Sequence, residues 1–130
     1  MPLIEGLVRD LWAERRELET VLAELPDTAW STATPAPGWT IHDQVAHLAH
    51  FDAVARLSVE SPAEFERMRE GIVNLQQFID AIGSQNDHLD GTAKLAWWRD
   101  ENDRLGRSAL SGDTSRRLPW FGRPCRWRRC

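Results

Sequence analysis

Before position 125 the chain contains no cysteine, and its only two, Cys125 and Cys130, fall in the last six residues. A disulfide there would close only a very small loop, and no CxxC pair exists, so a cysteine-based structural zinc in the body is excluded. Long apolar runs are missing too: no stretch approaches the roughly 18 consecutive apolar residues of a membrane span. The start, MPLIEGLVRDLWAERRELE, carries charges in its first turns and has no basic n-region, apolar core and small-residue cleavage site of a secretory signal. The expectation is a cytoplasmic protein without a membrane partner. Also absent are HExxH, GxGxxG, the phosphate-cradling GxxxxGK and GxSxG, which removes the motif-bearing zinc proteases, dinucleotide and nucleotide binders and serine hydrolases. No segment alternates apolar and polar residues with the β-branched content of a strand, and there is no internal repeat or low-complexity tract.

What is present fits one domain: 130 residues suffice for a single core and are too few for two. The formal charge of −4 conceals an asymmetry. All 20 acidic residues lie at or before Asp113, whereas Arg116, Arg117, Arg123, Arg126, Arg128 and Arg129 follow it. An acidic body lacks the clustered Lys and Arg needed for phosphate contacts, so no nucleic-acid partner is expected for it.

Helical periodicity organises the chain. Ile4, Val8, Leu11, Leu18, Leu22 and Leu25 recur at steps of three and four, interrupted once at Arg15, and Pro26 ends that amphipathic helix. The segment PDTAWSTATPAPG is too rich in proline and small polar residues to remain helical. Thr40 then reads as an N-cap with Asp43 three residues on, a shortened capping box that also suits the positive helix N-terminus. Ser61, Pro62 and Glu64 signal a further start, and Phe65, Met68, Ile72, Leu75, Ile79 and Ile82 continue from it with Gly71 inside the run. After GSQNDHLDG, the residues Leu95, Trp98, Leu105 and Ala109 recur at helical spacing until SGDTS. The class is all-α, with four helices and a long loop between the first two.

The second helix carries His42, His47 and His50. At 100° per residue, Ile41, Val45, Leu48 and Ala55 share one side, and Asp43, His47, His50 and Val54 form a neighbouring strip. His47 stands at the border, where an imidazole can point between packed helices. Two roles are open to it: a hydrogen-bonded structural histidine or a metal ligand of the kind that bundle helices supply. His50 should be more exposed, and His42 falls on a different side. Asp43 has a sufficient role as a cap, and Asp52 is expected to bond a loop amide or an arginine such as Arg15. Trp12, Trp30, Trp39, Trp97 and Trp98 read as core bulk rather than as a ligand-stacking box. A catalytic zinc normally has three protein ligands, so His47, even with His50, does not complete a set.

LPDTAWSTATPAPGWTIHDQVAHLAHFD resembles the N-terminal signature of the mycothiol-dependent maleylpyruvate isomerase-like proteins, members of the DinB-like helical-bundle superfamily. The shared elements are the first amphipathic helix, W-x-x-x-T-P from Trp30 to Pro35, Gly38 to Thr40, and D-x-x-x-H-L from Asp43 to Leu48. LAWWRDENDRL and RRLPWFG resemble the family's later helix and following loop, so the likeness runs from about residue 3 to 122. It implies a DinB-like up-down bundle, a divalent metal, zinc or zinc-like, with His47 as one ligand, and a low-molecular-weight thiol such as mycothiol as cofactor or partner. The activity implied is that of a metal-dependent, thiol-linked isomerase or transferase.

The family's two other ligands lie on a helix after the PWFG loop, and this chain instead continues RPCRWRRC, with neither Glu nor His. A reading frame for G-P-P-M-S-V-A-S with one C deleted would translate as G-R-P-C-R-W-R-R, which matches the observed string. The expected organisation is therefore an incomplete helical domain over 1–122, truncated before its last helix, and a frameshifted basic tail over 123–130. A genuine tail touching acidic partners or RNA through Arg126, Trp127 and Arg128 is the other reading. For the whole chain the expectation is a metal-binding bundle with an incomplete site and little activity. The alternative is a non-catalytic helical module that self-associates, as a homodimer for instance, over the face left bare.

Overall fold

The computed structural model describes residues 2–113 and 115–122; the tail expected over 123–130 lies outside the described residues. Five α-helices follow in order: α1 (Pro2–Ala23), α2 (Ile41–Glu60), α3 (Pro62–Glu70), α4 (Leu75–Gln85) and α5 (Gly91–Ser111). A short 3-10 turn, Asp27–Ser31, lies between α1 and α2. There is no strand among the described residues, only an isolated bridge between Ala33 and Thr40. The all-α bundle read from the sequence is the architecture found.

The helix boundaries follow local chemistry. Thr40 is extended (φ −93°, ψ 176°) and its hydroxyl accepts from the Asp43 N–H at 3.4 Å, while Asp43 Oδ2 accepts from the Thr40 N–H at 2.8 Å. This reciprocal box satisfies two amides that the first helical turn leaves without partners. Ser61 ends α2 and begins α3, and Pro62, lacking an N–H, stops the α2 ladder while fitting the first position of α3. Asp90 caps α5 by accepting from Ala93 N–H at 2.8 Å.

The third expected helix is two. Gly71 caps α3, residues 72–74 leave the helix, and the Asn74 side chain restarts it as α4 by accepting from Gln77 N–H at 3.0 Å. The apolar spacing of Ile72 and Leu75 carries across this break, which is why periodicity alone joins the two helices.

α2 is the central element, packed against α5, α4, α3 and the 3-10 turn, whereas α1 packs against α5. The core comprises Leu22, Trp30, Val45, Ala49, Leu95 and Trp98, with Leu25, Ile41, Leu48 and Trp97 against it. Close approach to α5 depends on two glycines: a Cβ on Gly91 would meet the Trp30 ring at 2.4 Å, and one on Gly106 the Trp12 ring at 2.5 Å. Arg15, the one break in the α1 stripe, is only 7% exposed and pairs with Asp103 on α5 at 2.9 Å. The stripe is thus interrupted by a partly buried ion pair that joins α1 to α5.

Candidate functional site around His47

Three segments shape the surroundings of His47. The first is the turn before α2, where Thr34 N–H and hydroxyl both donate to Trp39 O at 2.9 Å and Gly38 takes φ +78°. That left-handed backbone suits glycine and sets Trp39 beside the first turns of α2. Gln44 Nε2 donates to Thr34 Oγ1 at 3.2 Å and fixes the turn to the helix. The second segment is α2 itself, and the third is the stretch around Trp120 and Phe121.

The His47 ring lies 5.2 Å from the Trp39 ring and 4.7 Å from that of Phe51. His50 lies 5.6 Å from Phe51 and 5.5 Å from Phe78 of α4. The aromatic contacts continue through Phe51 to Phe121 at 6.0 Å, and Phe65 stacks on Trp120 at 5.7 Å with 16° between the planes. Ser58 Oγ–H donates to Pro119 O and Arg69 to Trp120 O, so residues 119–121 are held over α2 and α3.

Both histidines sit among apolar rings, and burial holds their pKa values below the usual imidazole value; at His50 the neighbouring His47 adds to the effect. His47 Nδ1 and His50 Nε2 are enclosed and have no hydrogen-bond partner among the described residues. A neutral imidazole with an uncommitted ring nitrogen can act as a metal donor. His50, expected to be the more exposed of the two, is instead enclosed by Phe51 and Phe78, because α4 folds back over this part of α2.

The other candidates have structural partners. His42 Nδ1 is 3.0 Å from Lys94 Nζ, and its ring is 5.4 Å from that of Trp30. Asp52 bonds neither a loop amide nor Arg15: its Oδ2 accepts from Trp98 Nε1 and Asn102 Nδ2, each at 3.0 Å. Trp30 and Trp98 are core residues, as read from the sequence, whereas Trp12, Trp39 and Trp97 are half-buried.

Among the described residues, no group of three or more His, Cys, Asp or Glu side chains is placed to hold a metal ion. His47 fits as one donor, and a complete donor set is not found there. Beside it, the Pro37–Trp39 turn and α4 enclose a cleft of about 390 Å³ whose walls include Trp39, Asp43, Asp80 and Ser84. Sequence reasoning missed this feature. Asp80 and Ser84 lie about 40 positions from Trp39 and Asp43, and nothing local in either stretch points to the other.

Residues 11–129 match the family model described as the mycothiol maleylpyruvate isomerase N-terminal domain. The chain belongs to this family. The mycothiol maleylpyruvate isomerase N-terminal domain is thus the helical frame in which His47, Trp39 and the adjacent cleft are set. Two uncharacterized proteins from two strains of Mycobacterium tuberculosis are each 37% identical to the chain over 118 residues. The alignment covers 90% of this chain and 46% of each relative, so the chain spans less than half the length of the curated relatives it matches. No solved structure matches it. No helix among the described residues is long and apolar enough to cross a membrane.

Proposed function

We propose that this domain is the His47-bearing part of a divalent-metal site, zinc or zinc-like, in a mycothiol-linked isomerase or transferase. In this reading the other ligands come from outside the described residues, and the chain alone has an incomplete site and little activity. The observation that carries the reading is the enclosed, unpartnered ring nitrogen of His47 within the family's D-x-x-x-H-L motif. A divalent metal there would favour the thiolate form of a bound low-molecular-weight thiol. The chain's own contribution is positional: Trp39 and Phe51 restrict the His47 ring, and burial favours its neutral form. With one ligand in place, metal selectivity and affinity are both low.

Zinc titration of the purified chain, with His47→Ala and His50→Ala alongside, tests this reading. Weak binding that disappears in His47→Ala and persists in His50→Ala supports it. Zinc binding undiminished in His47→Ala sinks it.

One feature favours a second reading, a self-associating module without catalysis. Leu3, Leu7, Leu18 and Val21 of α1 are exposed, Leu3 by 71% and Leu7 by 53%. Sedimentation of the metal-free chain separates the readings: a stable dimer with no zinc affinity favours the module.

A further inference from the structure

We propose that the groove between α1 and the C-terminal half of α5 binds a straight-chain fatty carboxylate as a free monomer, its head at Arg16 and its alkyl chain along Trp12, Val8 and Ile4. The groove encloses about 510 Å³ and is bordered on the α5 side by Leu110. That volume falls within the roughly 300–1,000 Å³ of small-molecule sites. It shares no residue with the surroundings of His47, and the inference goes beyond the function proposed there.

Helix geometry lays out the floor. Ile4, Val8 and Trp12 recur every four residues and form one row along α1, about 12 Å long at 1.5 Å per residue. Trp12 Nε1–H donates to Asn102 O at 3.2 Å, so the polar atom of the indole is committed to α5 and its carbons remain for apolar contact. Gly106 allows that approach, since a Cβ there would lie 2.5 Å from the ring. A long, narrow apolar row suits an extended chain.

The arginines set the charge of the ligand. Of the helix arginines, Arg15, Arg56, Arg67, Arg69, Arg99 and Arg104 each pair with a carboxylate, whereas Arg9, Arg16 and Arg107 have no ion-pair partner among the described residues. Two of those three, Arg9 and Arg16, line this groove. Uncommitted guanidiniums beside an apolar floor complement an anionic amphiphile. A cation would meet two like charges, and a small hydrophilic anion would leave the floor wet.

The direction of binding follows from the two helix ends. Trp12 meets Asn102, Arg15 meets Asp103 and Glu19 meets Arg99, so α1 and α5 run antiparallel and the Ile4 end lies beside the C-terminus of α5. The carbonyls there repel an anion, and the α1 N-terminus at the same end already carries Glu5, which also lines the groove. The carboxylate therefore sits at the Arg16 end and the methyl end of the chain points toward Ile4 and Leu110.

The test uses the full chain with a chelator present, so that metal plays no part. Calorimetric titration with decanoate below its micelle concentration should show saturable binding. Decyltrimethylammonium, with the same tail and the opposite charge, and acetate, with the head and no tail, should not bind. Arg16→Gln should weaken decanoate about tenfold, as expected for loss of one charge-assisted contact. Leu110→Ser, at an exposed position, should weaken it about three- to tenfold by shortening the apolar wall. Arg107→Gln, which changes the unpaired helix arginine outside the groove, should bind as the parent does. Decanoate should also shift the Trp12 indole N–H resonance. Absence of saturable decanoate binding, equal binding of the ammonium amphiphile, binding undiminished in Arg16→Gln or in Leu110→Ser, or an unmoved Trp12 resonance would overturn the proposal. So would tighter, Arg16-dependent binding to phosphatidylglycerol vesicles, which assigns the groove to a membrane surface, or a dimer that Leu110→Ser dissolves, which assigns it to a second copy. Any of these results leaves the zinc titration at His47 to stand or fall separately.

Discussion

The indole N–H of Trp98 donates to Asp52 Oδ2 at 3.0 Å, and Asn102 Nδ2 donates to the same oxygen at 3.0 Å, joining α5 to α2 across the core. Burial raises the pKa of Asp52; the two hydrogen bonds oppose this and are outweighed.

A pH dependence follows from that direction. With its pKa raised in the folded state, Asp52 binds protons more readily folded than unfolded. Its contribution is therefore fully present below the ordinary value of 3.8 and is lost as pH rises through the folded value. Asp52→Asn keeps an oxygen that can accept both N–H groups and removes the titration. Urea denaturation should show the variant gaining stability relative to the parent as pH rises above about 4. A difference that stays flat or moves the other way would show that burial does not dominate at Asp52.

Gly83 supports a second prediction. A methyl on it would lie 2.0 Å from Asp43 Oδ1 and 2.9 Å from its Cγ, so Gly83→Ala must displace the capping carboxylate or shift α4. Overpacking and partial loss of the cap together should destabilise the fold by about 1–3 kcal/mol. Gly6, inside α1 with nothing within 4 Å of an added Cβ, behaves oppositely. Gly6→Ala should stabilise by about 0.5–1 kcal/mol through helix propensity. Thermal melts of the two variants check both signs. Combining Gly83→Ala with Asp43→Ala should cost less than the sum of the single changes, since the clash is then gone.

How much of this was legible in the sequence differs from element to element. Thr40 and Asp43 announced the start of α2 because a capping box is local chemistry, complete within four residues. The break after Gly71 was also written locally, in Asn74 as a cap, but the apolar spacing across it masked the signal. Arg15 looked like a flaw in a stripe and is a buried partner of Asp103, 88 positions away. His50 and Asp52 were misplaced for the same reason: Phe78, Trp98 and Asn102 reach them from α4 and α5, and no periodicity within α2 encodes those contacts. The motif marked His47, whereas the cleft beside it exists only once α4 has folded onto α2.

The aromatic cover over α2 supplies the last prediction. Ser58 is buried in α2 and donates to Pro119 O, while Phe65, 0% exposed, stacks on Trp120, whose own surface is partly open. Hydrogen bonds from Ser58 and Arg69 and ring contacts from Phe51 and Phe65 therefore hold residues 119–121 against the helices. Ser58→Ala removes the buried donor and should cost about 1 kcal/mol in stability. Trp120→Ala removes the stacking partner and uncovers Phe65, so it should cost more, about 2–4 kcal/mol after allowing for the exposed part of the indole. Because these contacts are confined to one segment, the larger effect should be local opening. Hydrogen exchange should accelerate at the α3 amides around Phe65 in both variants, with the α5 amides around Leu95 and Trp98 staying protected in Ser58→Ala. Uniform acceleration across α5 in Ser58→Ala would mean that the segment is integral to the core rather than a cover laid over it.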